Sequence, residues 1–325
     1  MDVFLDVCDT FFFDRLYAII LPDRAATLAG SSEGDSIRLY NQHVKQYFPL
    51  QPSQWAGLSS WKREHLSRQA LSLFLITWLF GMAMYLIGST LLYHTCYDKR
   101  LLHHPKFLPR QIQQEIQQSL KAMPIMALLT MPIFLAEIQG WTKLYDFSSG
   151  TSDEGTSTFY IPSHIYTWLQ YPLFIMFTDS GIYWIHRGLH HPSVYRWVHK
   201  RHHKWVVPTP YASYAFNPVD GWMQSLPYHI FPFLFPLQKV AYLGLFVFVT
   251  LWTVLIHDAE YISNSRVING AACHTMHHLY FNYNYGQFTT FWDRVKGTYQ
   301  TPDGDGIVKA FDENENGDQA LKKVD

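Results

Sequence analysis

The chain has 325 residues, and 25 Lys and Arg against 26 Asp and Glu leave a formal net charge of -1. That balance removes the broad basic surface a nucleic-acid partner would need, so none is expected. Cys8, Cys96 and Cys273 are odd in number, far apart and without a CxxC pair, which argues against a disulfide scaffold or a thiolate zinc site. Charged residues supply only 16% of the chain and aromatics 17%. This points to a protein that meets lipid, while a mean hydropathy of -0.09 keeps much of it in water.

In chain order, residues 1–64 read as a partly ordered N-terminal region. Its opening, MDVFLDVCDT, lacks the cationic lead of a cleaved secretory signal, so the first long apolar run is expected to serve as an uncleaved anchor. That run, residues 71–93, holds 23 residues without a charge. At ~1.5 Å per residue it covers the ~30 Å of bilayer hydrocarbon. Residues 122–141 are a second candidate span, interrupted by Pro124, Pro132 and Glu137, and residues 161–185 are a third that contains Asp179. The fourth region, 225–256, carries Pro227, Pro232 and Pro236 ahead of Gln238 and Lys239, and three prolines exclude a straight helix. It is expected to form a hairpin or re-entrant pair hinged near residues 236–239, or one span with an irregular lead-in.

A loop bearing Lys99, Arg100, Lys106, Arg110 and Lys121 belongs in the cytosol by the positive-inside rule, with the Ser/Gly-rich stretch 147–158 on the luminal side. Residues 301–325 form a polar tail in which Lys322 and Lys323 resemble a dilysine retrieval signal of the endoplasmic reticulum. The expected fold is an all-α polytopic membrane protein with about four transmembrane helices. Its membrane-embedded domain is residues 65–300, capped by His-rich helices on the cytosolic side.

Eleven of the 17 histidines fall between His186 and His278. They concentrate in three boxes: His186 and His190; His199, His202 and His203; His274, His277 and His278. On a helix, spacings of three and four put imidazoles on one face, where several nitrogens can aim at one point. Box three lies among Ala271, Ala272, Leu279, Tyr280 and Phe281, where uncoordinated imidazoles would be costly to bury. Eight imidazoles exceed what one tetrahedral zinc accepts, so two metal ions are expected. An all-imidazole set beside a membrane suits iron that activates dioxygen, although spacing alone does not exclude zinc.

His257 ends the last apolar run and reads as a further ligand. Asp258 is placed to accept a proton from an imidazole, and His229 reads as a ligand or as a partner to one. His191 is one step off the box-one face, and His103 and His104 are expected at the surface. Trp184, Phe216, Trp222 and Trp292 are candidates for gripping a flat apolar substrate, against the plainer reading of packing at the membrane interface.

The stretches HRGLHHPSVYRWVHKRHHKW (186–205) and CHTMHHLYFNYNYGQFTTFWDRVKGTY (273–299) resemble the membrane-bound fatty acid hydroxylase/sterol desaturase superfamily. The segments Asn217-Pro-Val-Asp220-Gly221, Pro227-Tyr-His229 and His104-Pro-Lys-Phe107-Leu108 are similar to its fungal sterol C-5 desaturase branch. The resemblance covers roughly residues 65–300. It implies two non-haem iron ions on the box histidines and His257, with dioxygen as co-substrate. It also implies a sterol substrate, and electrons from cytochrome b5 and its NADH-dependent reductase at the endoplasmic reticulum. Some hydroxylase relatives carry another histidine one turn after the position of His257; here that residue is Tyr261. A related hydroxylase or desaturase acting on another lipid is the alternative, and a zinc-binding membrane protein without catalysis a more remote one.

Overall fold

A computed structural model describes residues 1–24, 47, 50–51, 53–146, 163–258 and 265–302. The stretch 147–158, Tyr261 and the Lys322–Lys323 end lie outside them. The described chain is mostly helical, with two strands of two residues each. Its contacts divide it into two units: one of residues 1–80, 127–170 and 232–243, the other of residues 81–126, 171–231 and 244–325.

In the first unit the chain starts as α1 (Asp2–Cys8), passes through a π-helical turn (Asp9–Phe13) and continues as α2 (Asp14–Ile20). Its acidic residues point inward, with Asp6, Asp9 and Asp14 all buried. They are held by two cations at the entry to α3 (Leu66–Thr95). Arg63 reaches Asp14 through Nε at 3.1 Å, and Arg68 Nη2 reaches Asp9 at 2.7 Å and Asp14 at 2.6 Å. Arg68 also lies over the Tyr17 ring at 4.8 Å and donates to the Trp61 carbonyl. Charges this deep persist only when paired. Arg63 and Arg68, which stand just ahead of the first apolar run, therefore anchor the N-terminal helices. In the same unit β1 (Leu144–Tyr145) pairs in parallel with β2 (Leu237–Gln238), and Lys239 bridges Asp2 and Asp146. Glu137, the acid within the second expected span, pairs with the Met1 amino group.

Among the described residues, two helices are long and apolar enough to cross a membrane: α3 and α4 (Gln111–Ile138). Only 22% of the most apolar window of α3 is buried, and Leu71, Leu79, Ile87 and Leu91 face outward, as lipid contact requires. The third expected span forms α5 (Ser163–Leu189), which Gln170 and Asp179 make less apolar. After the short α6 (Pro192–Tyr195), the fourth region forms two 17-residue arms, α7 (Pro218–Leu234) and α8 (Lys239–Leu255). They fold back on one another, since the rings of Tyr228 and His229 meet Phe246 at 6.0 and 5.8 Å.

The hinge falls at Phe235–Gln238 as expected, but α7 runs through both Pro227 and Pro232. The Pro227 ring is seated against Gly181 of α5, where a Cβ would stand 2.6 Å from its Cγ. Where water is scarce a backbone that breaks gains no substitute partners, so prolines bend such helices rather than ending them. α9 (Ala271–Tyr280) and α10 (Phe291–Val295) complete the second unit. His104 corrects an expectation: it is buried, and its Nδ1 accepts from the Lys106 amide at 3.0 Å, whereas His103 is exposed.

Removing one arginine from the buried network leaves carboxylates without a counter-charge. Arg68→Ala is expected to cost ~3–5 kcal/mol of stability in detergent thermal unfolding. Asp6 behaves differently: burial pushes its carboxyl up to about 8, against the pull of Arg63. The folded state then holds a proton that the unfolded chain has released, so Asp6 lowers stability as pH rises from the ordinary carboxylate range towards about 8. Asp6→Asn is expected to flatten that decline, measured as unfolding midpoints between pH 5 and pH 8.

Candidate metal centre

Each box is delivered by a different local structure within the second unit. His186 sits in the last turn of α5 with His190 just beyond its end. His199, His202 and His203 lie on consecutive tight turns, the last two on a 3₁₀ turn (His202–Lys204), rather than on a regular helix. His274, His277 and His278 line α9, all buried, and His257 follows α8.

The nine rings form two groups. His186, His190, His199, His203 and His277 bring their ligand nitrogens within 4.8 Å of one another, and so do His202, His257, His274 and His278. The groups adjoin: the His203 and His278 rings, one from each, are 4.9 Å apart. The eight box histidines and His257 therefore converge. His229 belongs to neither group and packs its ring on Tyr228 at 4.5 Å. His191, exposed, caps α6 by accepting from the Ser193 amide.

Proton placement explains what the groups can do. His186 Nδ1 donates to the Tyr285 carbonyl at 3.0 Å, His277 Nδ1 to that of Tyr283 at 2.7 Å, and His278 Nδ1 to that of Trp205 at 3.0 Å. His257 Nδ1 donates to the Thr253 carbonyl at 2.7 Å, and His199 Nδ1 to the Asp220 carboxylate at 2.7 Å. A carbonyl or carboxylate only accepts, so each of these rings has its proton on Nδ1 and a bare lone pair on Nε2. Burial, reinforced by neighbouring imidazoles, holds His202, His203, His274, His277 and His278 well below the usual imidazole range, so they stay neutral.

His274 Nε2 lies 3.0 Å from His257 Nε2 and 3.1 Å from His278 Nε2, and a single proton can answer only one of those lone pairs. His186 Nε2 and His277 Nε2 are buried without any hydrogen-bond partner. Converging buried lone pairs repel unless a cation sits among them, so the donor set fits a pair of metal ions.

The carboxylate that orients a ring is Asp220, which the sequence offered only as part of a matching segment. Asp258, the expected acceptor, is buried, but the His257 ring proton goes to Thr253. A cavity of about 60 Å³ opens beside His202, His257 and His274 of the four-histidine group and His186 of the other. Met126, Ile182, Val249 and Ile256 give it an apolar wall, together with Phe216. Of the four aromatic substrate candidates Phe216 alone lines it; Trp184, at 47% exposure, instead packs on Trp292 with Lys296 over its ring, and Trp222 lies off the cavity.

A family profile described as fatty acid hydroxylase matches residues 171–298, which contain all nine of these histidines. The Delta(7)-sterol 5(6)-desaturase erg3B of Aspergillus fumigatus is 59% identical over 302 residues, 93% of this chain and 86% of that protein. The Delta(7)-sterol 5(6)-desaturase of Leptosphaeria maculans is 52% identical over 318 residues, covering 93% and 86%. The one from Eremothecium gossypii is 46% identical over 347 residues, covering 100% and 95%. The chain belongs to the Delta(7)-sterol 5(6)-desaturase family. No solved structure matches it.

Within this desaturase-family site, Gly221 on α7 lets Phe216 lie against the helix. A Cβ there would stand 2.2 Å from Phe216 Cε2 and 2.8 Å from Met126 Cε, both cavity-lining residues. Gly221→Ala is therefore expected to drive Phe216 into the cavity and cut turnover at least ~10-fold with metal content unchanged, read by kinetics beside elemental analysis.

Proposed function

We propose that the chain is an oxidoreductase that removes the hydrogens of C5 and C6 from a Δ7-sterol, giving a 5,7-diene while dioxygen is reduced to water. The observation that carries this reading is the convergence of two adjoining sets of imidazole lone pairs beside an apolar cavity. His186, His190, His199, His203 and His277 would hold one iron, and His202, His257, His274 and His278 the other. The substrate class follows the names of the relatives, which align over nearly the whole chain.

The irons would supply the oxidising power needed at an unactivated ring carbon, which no side-chain base provides. The protein's part is positional. Asp220 and the carbonyls of Trp205, Thr253, Tyr283 and Tyr285 keep five rings in the metal-binding tautomer. Phe216, Ile182, Val249 and Ile256 keep water from the reacting edge of the sterol. Precise seating matters, because a displaced ring would favour hydroxylation over loss of the second hydrogen.

The same reading makes residues 65–300 a membrane-embedded domain of the endoplasmic reticulum. There α3, α4 and α5 span the bilayer, and the α7–α8 hairpin enters and returns. The boxes lie on the cytosolic side, where cytochrome b5 and its NADH-dependent reductase supply electrons. The basic segment between α3 and α4, with Lys99, Arg100, Lys106 and Arg110, supports that orientation. A hydroxylase acting on another lipid is the second reading, favoured by the family profile because the boxes hold metal and not substrate.

Expression in a strain lacking its sterol C-5 desaturase, followed by sterol profiling, is expected to restore the 5,7-diene. A well-expressed protein that yields none overturns the reaction, and a hydroxylated product favours the second reading. His202→Ala and His277→Ala are expected to reduce the diene to background, whereas His191→Ala, outside both groups, retains activity. Two zincs in the purified protein would sink the iron assignment.

A further inference from the structure

A sterol carries its hydroxyl on the ring that contains C5, so a substrate with C5 and C6 beside the imidazoles brings that hydroxyl into the same cavity. Burying it unpaired is costly, and a partner in the wall is required. The hydroxyl groups lining the cavity are already engaged. Ser225 Oγ donates to the Trp222 carbonyl at 2.7 Å and Thr253 Oγ1 to that of Val249 at 2.9 Å. Tyr228 bonds to Ser225 and Tyr214 to Thr250. Those hydroxyls keep lone pairs but swing about their C–O bonds, whereas the amides of Gln224 and Gln287 bring the only side-chain carbonyl acceptors in the lining.

These two amides are not equivalent. Gln224 Nε2 donates to Asp220 Oδ1 at 2.8 Å, and a carboxylate can only accept, so the amide cannot flip. Its Oε1 is thereby turned away from Asp220. Gln287 Nε2 reaches Thr253 Oγ1 at 3.2 Å, a longer bond to a rotatable hydroxyl that fixes the amide less firmly. Gln224 also stands on α7 one turn beyond Asp220, whose other oxygen holds His199 at 2.7 Å. The hydroxyl acceptor and the metal-centre scaffold are thus set by one helix, at a fixed separation.

We infer that Gln224 is the specificity-determining residue of the site, accepting the hydroxyl proton of the sterol on Oε1. This rests on the sterol reading proposed above. Gln224 does not touch the reacting carbons; it decides which ring edge faces the imidazoles, by tethering the neighbouring polar group.

The test is equilibrium binding, without oxygen, of a labelled Δ7-sterol and its 3-deoxy analogue to the full-length, metal-loaded protein in lipid nanodiscs, with metal content measured alongside. The wild type is expected to prefer the hydroxyl-bearing sterol by roughly tenfold. Gln224→Met is expected to bring that ratio close to one with metal content unchanged, while Gln287→Met keeps it. Gln224→Asn, which retains an amide but draws it back, is expected to lose the ratio as well and is read in place of the Met variant should that one lose metal. A wild type without preference, a ratio that survives in the Gln224 variants, or a ratio lost in Gln287→Met overturns the assignment. Because no turnover is needed, a failure of the desaturation reading appears separately, as a protein that binds sterol and makes no diene.

Discussion

The centre depends on five hydrogen bonds that point away from it. His186, His257, His277 and His278 give their Nδ1 protons to backbone carbonyls, and His199 gives its own to Asp220. Each bond fixes a tautomer, fixes a ring plane and leaves a bare Nε2 facing inward. Without them, the buried imidazoles would pair with one another, one ring's N–H meeting the next ring's lone pair. The groups would then close on themselves instead of opening around a cation.

One of those carbonyls is placed by a buried carboxylate, and a second carboxylate holds the segment that follows it. Asp293 accepts from the Tyr285 and Gly286 amides at 2.9 and 2.8 Å, so the Tyr285 carbonyl that holds His186 is itself held. Gly286 is needed there, because a Cβ would stand 2.3 Å from the Thr289 carbonyl oxygen. Asp179 accepts from the Phe288 amide at 2.7 Å and from Gln287 and Thr289 at 3.3 and 3.2 Å. An acid in an apolar helix is commonly read as part of a transport path. Asp179 is instead the clasp that folds residues 287–289 back onto α5, and burial without those donors would be prohibitive.

The converging histidines were legible in the sequence because imidazole spacing survives a change of local geometry. Helical spacing singled out His199, His202 and His203, although they stand on tight turns and not on a helix. What matters is that three rings within five residues can serve the two adjoining groups from a short stretch of backbone. The partners of those rings were hidden, because four are carbonyls that any residue type supplies and only the fold can aim. Asp220 was open to inference as a carboxylate between boxes two and three, but its distance in sequence from His199 carries no helical signature. The Arg68–Asp14 network was hidden for the same reason: its members are 54 residues apart, and an arginine at a helix entry reads equally well as a membrane-flanking charge. Pro227 misled because proline's cost in a helix is set by what replaces the lost bond, and the pocket offered by Gly181 is visible only in three dimensions.

These strands meet on α7. Asp220, Gly221, Gln224, Ser225 and Tyr228 recur at the spacing that puts residues on one helical face. That face carries the acceptor for His199, the gap that seats Phe216, and three residues of the cavity wall. A loop could present the same side chains but would let their separations drift, and a reaction that must take two hydrogens from neighbouring carbons tolerates little drift. Placing them on one rigid helix ties the His199 ring to cavity shape, and the Pro227–Gly181 contact locks that helix against α5, which carries His186. The prolines that seem to break the sequence pattern therefore belong to the part of the fold that most needs to stay in register.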